Sequence, residues 1–127
     1  MAGSGAELAQ YFVCKEVSPT VLITLFNPAG KANELQVENI IKGLRPAIDN
    51  PAITLVVFDV SQVEYFSSVG LSLLLRVHKA LKARKGKIAL AKPNANIKEL
   101  LHVTSLDTIW QSFPTLEEAL GANTPSA

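Results

Sequence analysis

A mixed α/β domain is the fold this sequence predicts, on three observations. Apolar runs of strand length alternate along the chain with stretches of helical periodicity. One run, Ile53 to Val60, is apolar at consecutive positions, as a central strand covered on both faces must be. The chain has 127 residues, 48% of them hydrophobic. That is enough for one real core without metal or disulfide staples.

The elements follow in order. Tyr11 to Val17 and Val21 to Phe26 read as strands, and Ser18-Pro19-Thr20 between them makes a tight turn, so a hairpin is expected. Asn27-Pro28-Ala29-Gly30 is a loop leading to Asn33, an N-cap with Gln36 three residues on. Val37, Ile40, Ile41, Leu44 and Ile48 then recur at helical spacing and define one buried stripe. Gly43 and Pro46 weaken this helix, and its last turn is expected to kink or stop early. Ile53 to Val60 is the central strand. Val69 to Ala83 is a second helix, ended by Arg84-Lys85-Gly86. Lys87 to Ala91 is a short strand and Asn94 to Thr104 a third helix. Thr108 to Phe113 reads as the final strand, with Trp110 in the core. Thr115 and Glu118 form a capping box for a short last helix, Leu116 to Leu120.

The order β-β-α-β-α-β-α-β-α gives a mixed central sheet of about five strands with about four α-helices. Residues 9–121 are expected to form this single domain, with 1–8 and 122–127 as flexible tails.

Composition excludes several function classes. A net charge of +1 offers no general attraction to nucleic acid or anionic membrane. No apolar run approaches the ~18 residues of a membrane span, and the N-terminus lacks the basic start and apolar core of a secretory signal. The cytoplasm is the expected location. The single cysteine, Cys14, has no internal disulfide partner; beside Tyr11, Phe12 and Val13 it reads as a small buried hydrophobe rather than a nucleophile. His78 and His102 lie in different helices with no companion ligands at metal spacing, so no metal and no cofactor are expected. Arg76, Lys79, Lys82, Arg84, Lys85 and Lys87 cluster near the end of the second helix. Without interleaved aromatics, and with the helix dipole favouring cations there, they read as a solvated helix end.

The most informative stretch is Asp59 to Leu75, D-V-S-Q-V-E-Y-F-S-S-V-G-L-S-L-L-L. A buried strand ends in Asp59, a short polar connection follows, and two serines and a glycine open a helix. A helix start carries unpaired backbone N–H groups and the positive end of the dipole, so a serine there is either a plain cap or a phosphorylation switch. The S-V-G portion is half of a nucleophile elbow, but Phe66 stands where the first glycine of G-x-S-x-G belongs and no downstream triad completes it. The chain is not expected to be an enzyme. Gly70 has two readings: close packing against the sheet, or clearance for a partner.

This segment resembles the signature of the STAS family, shared by bacterial anti-sigma factor antagonists and the cytoplasmic tails of sulfate transporters. V-V-F-D-V-S-Q-V-E-Y-F-S-S-V-G-L carries the resemblance. K-G-K-I-A-L-A-K-P, K-E-L-L-H-V-T-S-L-D-T-I-W and the terminal E-E-A-L support it, over Tyr11 to Leu120. The resemblance implies a STAS-like α/β domain that binds an anti-sigma factor/serine kinase and is released when that kinase phosphorylates it, a phosphatase then resetting the site. It places the phosphoacceptor at Ser68, with Ser67 as the alternative. The implied partner surface comprises Asn27, Asn33, Ser67, Ser68, Val69, Gly70, Ser72 and Arg76. Ser67 stands where many members have Asp, and the loop N-P-A-G-K-A-N lacks the Asp that often contributes to that surface. Neither nucleic acid nor membrane is an expected partner, and a monomer or weak homodimer is expected. The alternative is a STAS scaffold that binds an anion, nucleotide or lipid and has no serine switch.

Overall fold

The computed structural model describes residues 8–123. Five strands form one sheet in the order β1-β2-β3-β4-β5, which is also their order along the chain. They are β1 (Phe12–Val17), β2 (Thr20–Phe26), β3 (Leu55–Gln62), β4 (Lys87–Ala91) and β5 (Gln111–Phe113). Strands β1 and β2 pair antiparallel across a two-residue turn, with Val17 opposite Thr20. The other neighbours are parallel.

Successive parallel crossovers that all step the same way along a sheet put their helices on the same face. Accordingly α2 (Glu34–Ile48), α3 (Ser68–Lys82) and α4 (Ala95–Val103) share the large core with Val21, Ile23, Leu25, Val56 and Phe58. Among the described residues the opposite face carries the short α5 (Leu116–Leu120) and the 3₁₀ turn that follows it. Ala119 and Leu116 of α5 pack on a smaller cluster of Leu55, Val57, Ala89 and Ala91. Both faces of β3 are therefore covered, as its unbroken apolar run requires.

Several expectations need correction. The segment Asn27-Pro28-Ala29-Gly30 is a single helical turn, α1, so the short helices bring the total to five. Proline at the first turn is compatible with this because its missing N–H would be unpaired there anyway. Helix α2 does not end early; it continues through Pro46 to Ile48. Ala47 and Ile48 are buried, and that burial offsets the one ladder bond that Pro46 cannot make. The final strand is only three residues long. Leu106–Thr108 forms a 3₁₀ turn instead, entered through Ser105 in the left-handed region at φ 61°. Trp110 is in the core as expected, but it precedes the strand, donating from Nε1 to His78 Nδ1 at 3.2 Å.

Cys14 is exposed rather than buried. Strand β1 is an edge of the sheet, and among the described residues nothing packs over its positions after Phe12, which are all exposed. Arg84 is not part of a solvated helix end. Its guanidinium donates to the carbonyls of Ile53 at 2.9 Å, Ala80 and Ile48, tying the ends of α2 and α3 to the entry of β3. Of the two tails, residues 1–7 and 124–127 lie outside the described residues, while Leu8 packs against the core.

Candidate functional site

Strand β3 delivers the site. Its pairing with β2 slips between Thr24 and Phe26, an irregularity that leaves an N–H without a ladder partner. The buried Asp59 supplies one, accepting from Ser61 N at 3.0 Å. The loop that follows is pinned on two sides. Asn27 of α1 accepts from Glu64 N at 2.9 Å. Asn94, the N-cap of α4, donates to the carbonyls of Val63 at 3.3 Å and Glu64 at 3.1 Å. Val63 and Phe66 plug into the core while Tyr65 between them is exposed. The chain therefore enters α3 from a fixed position.

At that entry the two serines separate in role. Ser67 is the N-cap, its Oγ accepting from Gly70 N at 3.0 Å, and its own N–H donates to the carbonyl of Gly30 at 2.8 Å. Ser68 is the first residue of the helix and is exposed. Among the described residues its hydroxyl has no partner, and no acceptor meets the N–H of Ser68 or Val69. An exposed hydroxyl beside two open N–H groups at the positive end of a 15-residue helix can carry a phosphate without disturbing the fold.

Gly70 lies beneath this surface. A Cβ there would meet the Gly30 carbonyl oxygen at 2.4 Å, and a Cβ on Gly30 would meet the Tyr65 carbonyl oxygen at 2.1 Å. Two glycines thus let α1, the loop and α3 approach backbone to backbone. Of its two readings, close packing is the one observed, and the backbone it meets is that of α1.

The remaining sequence-predicted residues divide. Ser68, Ser72 and Arg76 follow one another at four-residue steps along one stripe of α3. The hydroxyl of Ser72 donates back to the Val69 carbonyl, and Arg76 pairs with Glu38 of α2 at 2.5 Å. That guanidinium holds the Glu38 carboxyl below the usual glutamate range, chiefly through the hydrogen bond and then through charge. Val69, Ser72 and Arg76 line a groove of about 410 Å³ between α2 and α3 with Glu34, Leu35 and Glu38. Asn27 and Asn33 are spent structurally: Asn27 on the loop, Asn33 on a reciprocal capping box with Gln36.

Sequence reasoning missed Leu35, 70% exposed on the rim of this groove, and Tyr65, 54% exposed beside the entry to α3. Leu35 was readable as an apolar residue off the buried stripe of α2. Tyr65 carries no local signal, and although Asn94 is legible as a helix start, its reach to the loop depends on the packing of distant segments.

Other candidate chemistry is dispersed. His102 pairs with Asp107 at 3.2 Å in a solvent-exposed contact. No group of three or more potential metal ligands gathers among the described residues. No helix among them is long and apolar enough to cross a membrane.

Comparison with known proteins agrees with this architecture. Residues 14–119 match the STAS domain. The chain is 25% identical to the unphosphorylated anti-sigma factor antagonist SpoIIAA. The two superpose with a TM-score of 0.70 over 87% of this chain and 93% of that one. With the phosphorylated SpoIIAA of Bacillus the TM-score is 0.64 at 26% identity, over 86% of this chain and 96% of that one. A STAS-domain anti-sigma factor antagonist protein of Planctomyces limnophilus gives 0.70 at 29% identity, over 87% and 95%. A Thermotoga neapolitana protein named for homology to an anti-sigma factor antagonist is 34% identical over 68 residues, 54% of this chain and 58% of that relative. With the family match spanning residues 14–119 and the fold shared with these structures, this protein belongs to the STAS domain family.

Proposed function

We propose that this protein is an anti-sigma factor antagonist that works by partner switching. Unphosphorylated, it binds an anti-sigma factor/serine kinase over the α2–α3 groove and the start of α3; phosphorylated on Ser68, it is released. It acts in the cytoplasm, catalyses no reaction itself, and is reset by a phosphatase.

One observation carries this reading. Ser67 takes the capping duty, which leaves Ser68 exposed and, among the described residues, without a hydrogen-bond partner for its hydroxyl. A serine needed only as a cap would be in the position that Ser67 occupies. Phosphorylation adds about −1.5 to −2 charges near neutral pH. The open end of α3 accommodates this within the domain, whereas a partner packed over the site must bury the charge or leave. An unpaired charge at an interface costs roughly 2–5 kcal/mol, which lowers affinity by about 30-fold to several thousand-fold. The groove sets Glu34 and Glu38 against Arg76, and this mixed charge supports a protein partner over an anionic small ligand.

The test compares affinity capture from the native host with wild-type, Ser68→Ala and Ser68→Asp baits, read by mass spectrometry with phosphosite mapping. The expected result is a kinase-related anti-sigma partner held by wild type and Ser68→Ala and lost from Ser68→Asp. Equal capture by all three overturns the switch.

A further inference from the structure

We propose that His78 and Trp110 form a pH-sensitive clasp. It holds the approach to β5 against α3 while the imidazole is neutral, and releases it when the ring is protonated. The clasp matters because little else anchors that part of the chain. From His102 to Glu118 Trp110 alone is buried; Leu106, Phe113 and Leu116 are half-buried and the rest are exposed. Strand β5 offers β4 only three paired residues. The segment is entered through Ser105 at φ 61°, a backbone conformation that a non-glycine residue adopts only when its surroundings impose it. One indole therefore pins a stretch that has few contacts of its own to keep it closed.

The chemistry of the bond makes the pin sensitive to protons. An indole N–H can only donate. Trp110 Nε1 lies 3.2 Å from His78 Nδ1, so Nδ1 offers its lone pair and the one ring proton sits on Nε2. A second proton can go only to Nδ1, where it would point at the indole hydrogen. The bond is then lost, and a donor in the core is left without an acceptor.

A competing effect would favour the charged ring. A cation above an indole face is attracted to it. Here the rings meet edge-on, with centroids 6.0 Å apart and planes 66° apart. The N–H edge that points at the imidazole is the positive rim of the indole, so this attraction is absent.

The charged groups on the elements around the pair are Lys79 and Lys82 of α3, Lys87 of β4, Lys98, Glu99 and His102 of α4, and Asp107 of the 3₁₀ turn. All are exposed and screened by solvent. His102 acts in the opposite sense, since its Nδ1 faces Asp107 Oδ2 at 3.2 Å and protonation strengthens that contact. An exposed pair of this kind contributes less than a buried donor loses. The clasp's contribution is therefore complete above the ordinary histidine range and is lost as pH falls through it.

The test follows the whole ¹⁵N-labelled chain by NMR between about pH 8 and 5.5, where histidine is the side chain whose charge changes. Trp110 is the single tryptophan, so its indole N–H gives one resonance. In wild type that resonance is expected to shift in one titration step. Over the same range the amide protection factors of Trp110 to Phe113 should fall roughly tenfold or more relative to those of Val56 to Phe58 in β3. His78→Asn keeps an acceptor oxygen at the place of Nδ1 and cannot titrate, so both readouts should stay constant. His102→Ala removes the other histidine and should leave the wild-type response intact; it assigns the titration to His78 even if His78→Asn does not fold, which circular dichroism checks. The proposal is overturned by a wild-type indole resonance and β5 protection that ignore pH, by the same response in folded His78→Asn, by loss of the response in His102→Ala, or by β3 losing protection in step with β5.

Discussion

Replacing each of the two adjacent serines by alanine separates capping from signalling. In Ser67→Ala the Gly70 N–H loses the acceptor it holds at 3.0 Å. The site is half-buried, so water replaces that acceptor only in part. Loss of an N-cap of this kind costs about 1 kcal/mol, within a range of roughly 0.5–2. For a domain of this size that corresponds to a fall in Tm of roughly 3–5 °C. Ser68→Ala removes a hydroxyl that has no partner among the described residues and adds a better helix former, so its stability should match or slightly exceed wild type. Urea and thermal unfolding of the three proteins measure both values, and phosphorylation by the captured kinase gives the complementary readout. Ser67→Ala should be destabilised yet phosphorylated; Ser68→Ala should be stable and refractory. If Ser68→Ala were the less stable of the two, the assignment of the cap would be wrong and with it the argument that Ser68 is free for modification.

The close approach of α1 and α3 gives a second prediction. Gly70→Ala puts a Cβ 2.4 Å from the Gly30 carbonyl oxygen. The two backbones must separate, straining the Ser67–Gly30 hydrogen bond. Overpacking of about 1–3 kcal/mol and about 1 kcal/mol of lost hydrogen bond outweigh the ~1 kcal/mol gained from alanine in a helix. Gly121→Ala meets nothing within 4 Å and should be near neutral; chemical denaturation of the pair checks the contrast. A third concerns pH. Arg76 depresses the Glu38 carboxyl, so the pair's contribution is complete above the ordinary glutamate range. It is lost as pH falls through the lowered folded value. A carboxyl-detected NMR titration should show Glu38 protonating below the ordinary glutamate range, and Arg76→Ala should raise it towards that range.

Much of this protein was legible in its sequence because the deciding interactions are local. The capping box at Asn33 and the N-cap at Thr115, whose hydroxyl accepts from Glu118 N without the return bond to its own N–H, join residues three apart. The consecutive apolar positions of β3 report two covered faces without reference to what covers them. The helix opened by Ser67 and Ser68 was readable for the same reason. The edge status of β1 was not, because Cys14 sits among apolar neighbours in sequence and only the sheet order leaves it without a covering layer. Nor was the continuation of α2 through Pro46, which depends on burial of Ala47 and Ile48 against distant strands.

The sequence by itself therefore determined the order of elements, the family likeness and the pair of serines on which the proposed function turns. Which serine is the cap was decided only by tertiary structure. That choice depends on where α3 begins, and α3 begins where the Gly30–Gly70 contact and the asparagines at positions 27 and 94 hold the incoming loop. Those contacts join residues 30 or more positions apart, and no local pattern in a chain encodes a distance of that kind.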